Sequence, residues 1–209
     1  MSGENRNESG RLGRGRGFKH ALTGMLSAAG ILCGAALAVE VDGVRIPDRA
    51  VVGKTELVLN GAGMRHKLMA VPVYVGALYL TARKKSAAEV LADAGPKRIL
   101  MHVVIEELTA RELTASLNDA IEANHIPAEI TLIQKRLTDL NRMMNSIGVL
   151  KRGGIVTIDF LPGTGTRITV NGTERITIPG NDFFRALLRI WIGAKPVDGR
   201  LRGAMLGGS

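Results

Sequence analysis

Apolar and polar positions divide the chain into blocks of different period. From Leu57 to Leu80, LVLNGAGMRHKLMAVPVYVGALYL, two runs suited to a sheet interior flank Asn60-Gly61-Ala62-Gly63 and a charged residue, Arg65. Glycine permits positive φ and close backbone approach, so the pattern predicts a strand, a glycine corner at 60–63, and a second strand over 71–80. Residues 98–106, RILMHVVIE, read as a buried strand with Ile99, Met101, Val103 and Ile105 on one face and Leu100, His102 and Val104 on the other. Upstream, Val39–Pro47 alternates around Asp42-Gly43, a leading hairpin.

Helical spacing takes over in the middle. Ser86-Ala-Ala-Glu89 and Thr109-Ala-Arg-Glu112 are capping boxes, in which hydroxyl and carboxylate satisfy opposite unpaired N–H groups at a helix start. The first predicts a short helix ending at Gly95-Pro96. The second is reinforced by Leu108 and Leu113, spaced as a hydrophobic staple, and continues through Leu117 and Ile121. Pro127 suits the first turn of another helix, whose stripe of Ile130, Ile133, Leu137, Leu140, Met144 and Ile147 reads as core or as a methionine-lined apolar cavity. From Gly153 the period becomes two: Val156, Ile158 and Phe160, then Ile168 and Val170, then Ile176 and Ile178 after an Asn171-Gly172 hairpin signal. A final apolar helix carries Phe183, Phe184, Leu187, Leu188 and Trp191, with Asn181 as its N-cap and Gly193 as its stop. Trp191 wants a partner for its indole N–H, and Leu201 and Leu206 are read as docking residues. Strands, helices, a meander and a helix in that order predict an α+β fold, with helices on one side of a largely antiparallel sheet.

Arg65 has two readings in this pattern: a solvated or paired turn residue, or the anchor of an anionic ligand at a pocket mouth. The segments Leu59-Asn-Gly-Ala-Gly-Met-Arg65 and Val73-Tyr-Val-Gly-Ala-Leu-Tyr79 resemble the core motif of the chalcone isomerase-like superfamily, particularly its small exported bacterial branch. The resemblance implies an open-faced β-sandwich with a ligand cleft between sheet and helices, and an Arg65 that points into it. It places a strand hydroxyl near Tyr74 and a pocket in the neighbourhood of His102. The tyrosine and asparagine of the plant enzymes' helical motif align with Leu113 and Ala120 here, so two polar partners of chalcone cyclisation are missing.

The N-terminus reads as a leader. Basic residues up to Lys19 precede the uncharged Ala21–Ala38, which ends in Ala36-Leu37-Ala38, so a signal peptide over 1–38 and a single domain over 39–209 are predicted, with a periplasmic or secreted location and no transmembrane span after cleavage. Cys33 falls in the leader, so the mature chain has neither a disulfide nor a cysteine-ligated metal. The whole chain carries a net charge of +9; the leader takes five of 28 basic and two of 19 acidic side chains, leaving +6. The charge is scattered and aromatics make up 3% of the chain, which argues against nucleic acid as a partner. The expectation is a non-catalytic exported protein binding a small apolar anion such as a fatty acid, with Arg65, Tyr74 and His102 as ligand-binding residues and no cofactor. An isomerase of the intramolecular lyase type acting on a phenolic or enone substrate is the alternative. Haem binding through His66 or His102 is another, with Arg65 meeting a propionate.

Overall fold

The computed structural model describes residues 38–208; the predicted leader through residue 37, with Cys33, lies outside them. The alternating N-terminal residues form the expected hairpin, β1 (Ala38–Val41) and β2 (Val44–Pro47), with Asp42 and Gly43 at φ 47° and 81° in its turn. Next come β3 (Arg49–Val52), β4 (Thr55–Lys67) and β5 (Val71–Leu80). The two capping boxes open α1 (Ala87–Ala92) and α2 (Ala110–Asn124), which flank β6 (Lys97–Val103) and β7 (Glu107–Thr109). Pro127 starts α3 (Pro127–Ile147), followed by β8 (Val149–Lys151) and the meander β9 (Ile155–Leu161), β10 (Gly165–Val170) and β11 (Thr173–Ile178). Helices α4 (Asn181–Ile192) and α5 (Gly199–Met205) complete the domain.

Seven strands pair antiparallel in the order β11-β10-β9-β6-β5-β4-β3. Period-two alternation gives this sheet two apolar faces. One packs Val73, Ile99, Met101, Val156, Ile158 and Ile168 against the helices, forming the larger core. The other packs Leu57, Leu59, Val75, Ala77 and Tyr79 beneath Ile46 and Val52 of the leading strands. On that second face Asp159, 1% exposed, accepts a bidentate pair from Arg98 at 2.6 and 2.7 Å and a third bond from Arg167 at 3.1 Å, tying β6, β9 and β10 together. The architecture is α+β, a curled antiparallel sheet covered by helices, as the sequence predicted.

The predicted glycine corner is absent. Residues 55–67 run as one strand, irregular in register at Leu59/Gly61 and Arg65/His66. The glycines serve close approach instead. A methyl group on Gly61 would overlap the Ala204 carbonyl, one on Gly63 would lie 2.6 Å from the Ala204 methyl, and one on Gly76 would press on Leu201. Helix α5 therefore lies directly on β4 and β5. Asn60, 6% exposed, fastens its end by donating to the Met205 carbonyl at 2.7 Å, and Asp198 fastens its start by accepting from Arg200 and Leu201 N–H. Asp198 also accepts the His66 N–H at 2.9 Å, where the β4 ladder is irregular. The actual turn falls at Leu68 and Met69, with φ of 52° and 60°.

Three element ends differ from expectation. Helix α1 stops at Ala92 rather than at Gly95-Pro96, because the Asp93 carboxylate accepts the Gly95 N–H at 2.6 Å and turns the chain early. Strand β6 ends at Val103, after which Val104 and Ile105 donate to the Val73 carbonyl outside the regular ladder. Asn181 is the first residue of α4 and not its cap: Gly180, at φ 104°, takes the cap position, beside an Arg136 guanidinium that holds Asp182 through bonds of 2.7 and 2.6 Å. Among the described residues, no helix is long and apolar enough to cross a membrane.

Gly63→Ala is expected to cost about 1–3 kcal/mol by overpacking against α5. Pairing it with Ala204→Gly should recover part of that loss, read as a favourable coupling energy in a urea-denaturation double-mutant cycle. Asp198 is pushed up by burial, but backbone N–H groups of His66, Leu201 and Arg200 outweigh this and hold its carboxyl below the usual range. A carboxyl with a lowered folded pKa stabilises fully above its unfolded value, near 4, and loses that contribution as pH falls through the folded value. Asp198→Asn is therefore expected to lower stability at pH 7 by about 1 kcal/mol. Melting temperatures measured down a pH series should show a shallower acid loss in the variant below about pH 4.

Candidate functional site

The staple that fixes the start of α2 also lines a cavity. Leu108 and Leu113, with Leu140, Met143 and Met144 of α3, face Val73 and Met101 of the sheet across about 100 Å³ of space open to water-sized molecules. The walls are aliphatic and thioether, and methionine side chains repack more readily than branched ones. Polarity is confined to one end, where Arg65, Lys67, Tyr74, Glu112 and Ser116 gather.

Tyr74 and Arg65 are directly opposed in the β4–β5 ladder, which places their side chains on the same face of the sheet. The Arg65 guanidinium carbon lies 5.4 Å from the Tyr74 ring centroid, and its Nη2 donates to Ser116 Oγ at 2.9 Å. Its Nε is buried with no hydrogen-bond partner among the described residues. Tyr74, 3% exposed, accepts the Trp191 indole N–H at 2.9 Å. An indole nitrogen can only donate, so this bond consumes an acceptor site on the phenol oxygen and leaves the phenol hydrogen free to donate elsewhere. Burial pushes the Tyr74 pKa up to about 12, opposed by the Arg65 charge and the Trp191 bond and assisted by Asp198. The phenol therefore stays protonated at neutral pH. Among the described residues, an arginine N–H and a phenol O–H are thus left without acceptors at the polar end of an apolar cavity.

The other titratable groups of the lining are engaged. Glu112 completes the α2 capping box and accepts from Lys67 Nζ at 3.2 Å. The Thr109 hydroxyl and N–H and the Lys67 ammonium hold its carboxyl below the usual range. A second, open groove on the solvent side of Arg65 shares Arg65, Lys67, Glu112, Ser116 and Val197 with the cavity and adds Asp119 and Lys195. The ion pair of Lys67 and Glu112 therefore stands at the boundary between interior and solvent.

The structure brings Arg65 and Tyr74 together at one cavity and places His102 elsewhere. His102 alternates with Met101 and Val103 along β6, so it lies on the opposite face, in a separate groove with His66, Met64 and Val104. Neither histidine lines the cavity. His66 Nδ1 lies 4.0 Å from Asp198 Oδ2. Among the described residues, no three His, Cys, Asp or Glu side chains are grouped to hold a metal ion. Ser116 and Trp191 also line the cavity, bonded to Arg65 and Tyr74, and were not among the anticipated binding residues. For Ser116 the available signal was a small polar residue on the apolar face of α2, three positions from Leu113 and next to Leu117.

Among curated proteins, no match to the chain reaches significance. Among solved structures, the fold is similar to that in the crystal structure of a fatty-acid binding protein from Arabidopsis thaliana, with a TM-score of 0.59 at 16% identity over 78% of this chain and 92% of that one. At that identity the likeness concerns the fold. The profile described as chalcone isomerase-like matches residues 38–207, spanning both the Arg65 strand and the α5 segment packed against it. On that match, the chain belongs to the chalcone isomerase-like family.

Proposed function

We propose that the chain is a non-catalytic binder of a small, largely apolar anion, a fatty acid being the simplest example, with its carboxylate at Arg65 and Tyr74. The observation that carries this reading is that Arg65 and Tyr74 meet at the polar end of a largely aliphatic cavity, with Arg65 Nε unpartnered among the described residues and the Tyr74 oxygen accepting from Trp191, so that its own hydrogen is free to donate. A buried donor without an acceptor costs about 1–3 kcal/mol, a penalty that a carboxylate ligand would relieve at both atoms. Its hydrocarbon tail would lie among Leu113, Met143 and Met144. A cavity of about 100 Å³ is smaller than the roughly 150 Å³ that takes a benzene ring, so it suits only a short chain directly, and a medium or longer tail would require the methionines to repack. The fatty-acid binding protein with the similar fold is consistent with this use of the architecture.

Acid–base chemistry has little to work with here. Among the described residues, the titratable groups of the lining are Arg65, Lys67, Tyr74 and Glu112. The phenol is held protonated and the carboxylate is held ionised in an ion pair, so neither is poised to exchange a proton near neutral pH. We further propose that the leader directs export and that the mature domain works outside the cytoplasm, as the Ala21–Ala38 segment suggests.

Arg65→Ala is expected to weaken decanoate binding by roughly 10- to 100-fold, the equivalent of one charge-assisted hydrogen bond, with an unchanged circular dichroism spectrum. Isothermal titration of the wild-type and variant proteins with decanoate, and with decanol as the uncharged control, measures this. Equal affinity of the two proteins, or equal affinity for acid and alcohol, would sink the anion-anchor reading. Native mass spectrometry with an absorbance spectrum on protein recovered from its own cells provides the second check. A retained carboxylic acid supports the binder, a Soret band would put haem in its place, and turnover of a phenolic enone would restore the isomerase alternative.

A further inference from the structure

The turn between β4 and β5 is built from residues that tight turns ordinarily avoid. Leu68 and Met69 both hold left-handed backbone conformations, at φ 52° and 60°, which two-residue hairpins normally assign to asparagine and glycine. Both side chains are 85% exposed and Val71 is 43% exposed. The unbroken run Leu68-Met69-Ala70-Val71-Pro72 is exposed throughout and contains no polar side chain. An exposed apolar run of this length on a strained turn has no role in the core and marks a surface to be covered.

We propose that this hairpin tip inserts into the interfacial layer of an anionic lipid bilayer. Shape favours a fluid phase over a protein partner. A stable protein interface takes about 800 Å² of complementary surface from each side, whereas a five-residue tip is a small convex knob. Charge favours anionic headgroups: beyond residue 38 the chain has six more basic than acidic side chains, and the residue before the tip, Lys67, is exposed in a solvent-facing pair with Glu112 that a lipid phosphate can compete for. Position favours the same partner, because Lys67 and Glu112 stand at the cavity mouth and insertion of the next residues would turn that mouth toward the lipid. Exchange of a ligand between cavity and bilayer rests on the binder reading; docking does not.

The test uses the full chain with Leu68→Trp and vesicles of phosphatidylglycerol and phosphatidylcholine, against phosphatidylcholine alone. The introduced tryptophan is expected to shift to shorter emission wavelength on the anionic vesicles, with quenching by lipids brominated near the headgroup. Trp191, buried, supplies a background measured in the wild-type protein. Leu68→Ser with Met69→Ser should lower vesicle affinity at least tenfold without changing the circular dichroism spectrum. Arg65→Ala should leave docking unchanged, which separates this inference from the ligand assignment. A chain that floats with vesicles while the introduced tryptophan stays in water is held by another segment, such as Ala21–Ala38, and overturns the proposal. So does a serine double variant that binds as the wild type does. A self-association abolished by that variant, with no emission shift on vesicles, would assign the tip to a second copy of the chain and equally overturn it.

Discussion

The hydrogen bond from Trp191 to Tyr74 is the interaction on which the site's geometry depends. Both rings are buried, so each polar atom must find a partner inside the protein or bear the cost of lost hydration. Because indole is donor-only, the phenol oxygen is compelled to accept, and its own hydrogen is directed elsewhere. One bond between residues 117 positions apart thereby fixes α4 against β5 and sets the direction in which the site donates. The position of the Arg65 guanidinium over the Tyr74 ring follows from the same placement, since ladder register sets the two residues side by side and Ser116 steadies one guanidinium nitrogen.

A second constraint is steric. Where β4 and β5 carry glycines, α5 approaches to backbone contact, and where they carry aliphatic side chains the larger helices stand off and leave room. The sheet thus has a tightly covered side at α5 and a hollow beneath α2 and α3. The Asp159 cluster on the opposite face ties β6, β9 and β10 together without intruding on that hollow.

Much of this was legible in the sequence because it is local. Capping boxes at Ser86 and Thr109 depend on residues three apart, and the Asn171-Gly172 turn on two adjacent residues, at φ 49° and 79°. Period-two and helical patterns gave the layers. What misled was a feature whose cause is remote in the chain. Gly61 and Gly63 look like a turn until Ala204 is placed beside them, and Asn60 looks turn-prone until the Met205 carbonyl claims its amide. Arg65 and Tyr74 were legible through resemblance to a family motif, whereas His102 was misplaced with them because adjacency to a pocket in sequence says nothing about which face of a strand a side chain takes. Ser116 was hidden for the opposite reason, since a serine on a helix is unremarked until its arginine partner, 51 residues away, is known.

The fastening of Asn60 to Met205 spans 145 residues, and it has a kinetic side. The strand that carries Arg65 is made by the ribosome well before the helix that covers its glycine face. Until α5 emerges, β4 presents bare backbone where its cover should lie, and the closing contact must meet the entropy of a very long loop. The domain therefore completes the packing of β4 only once α5 has been made, and a portion synthesised before it lacks the surface against which that strand comes to rest.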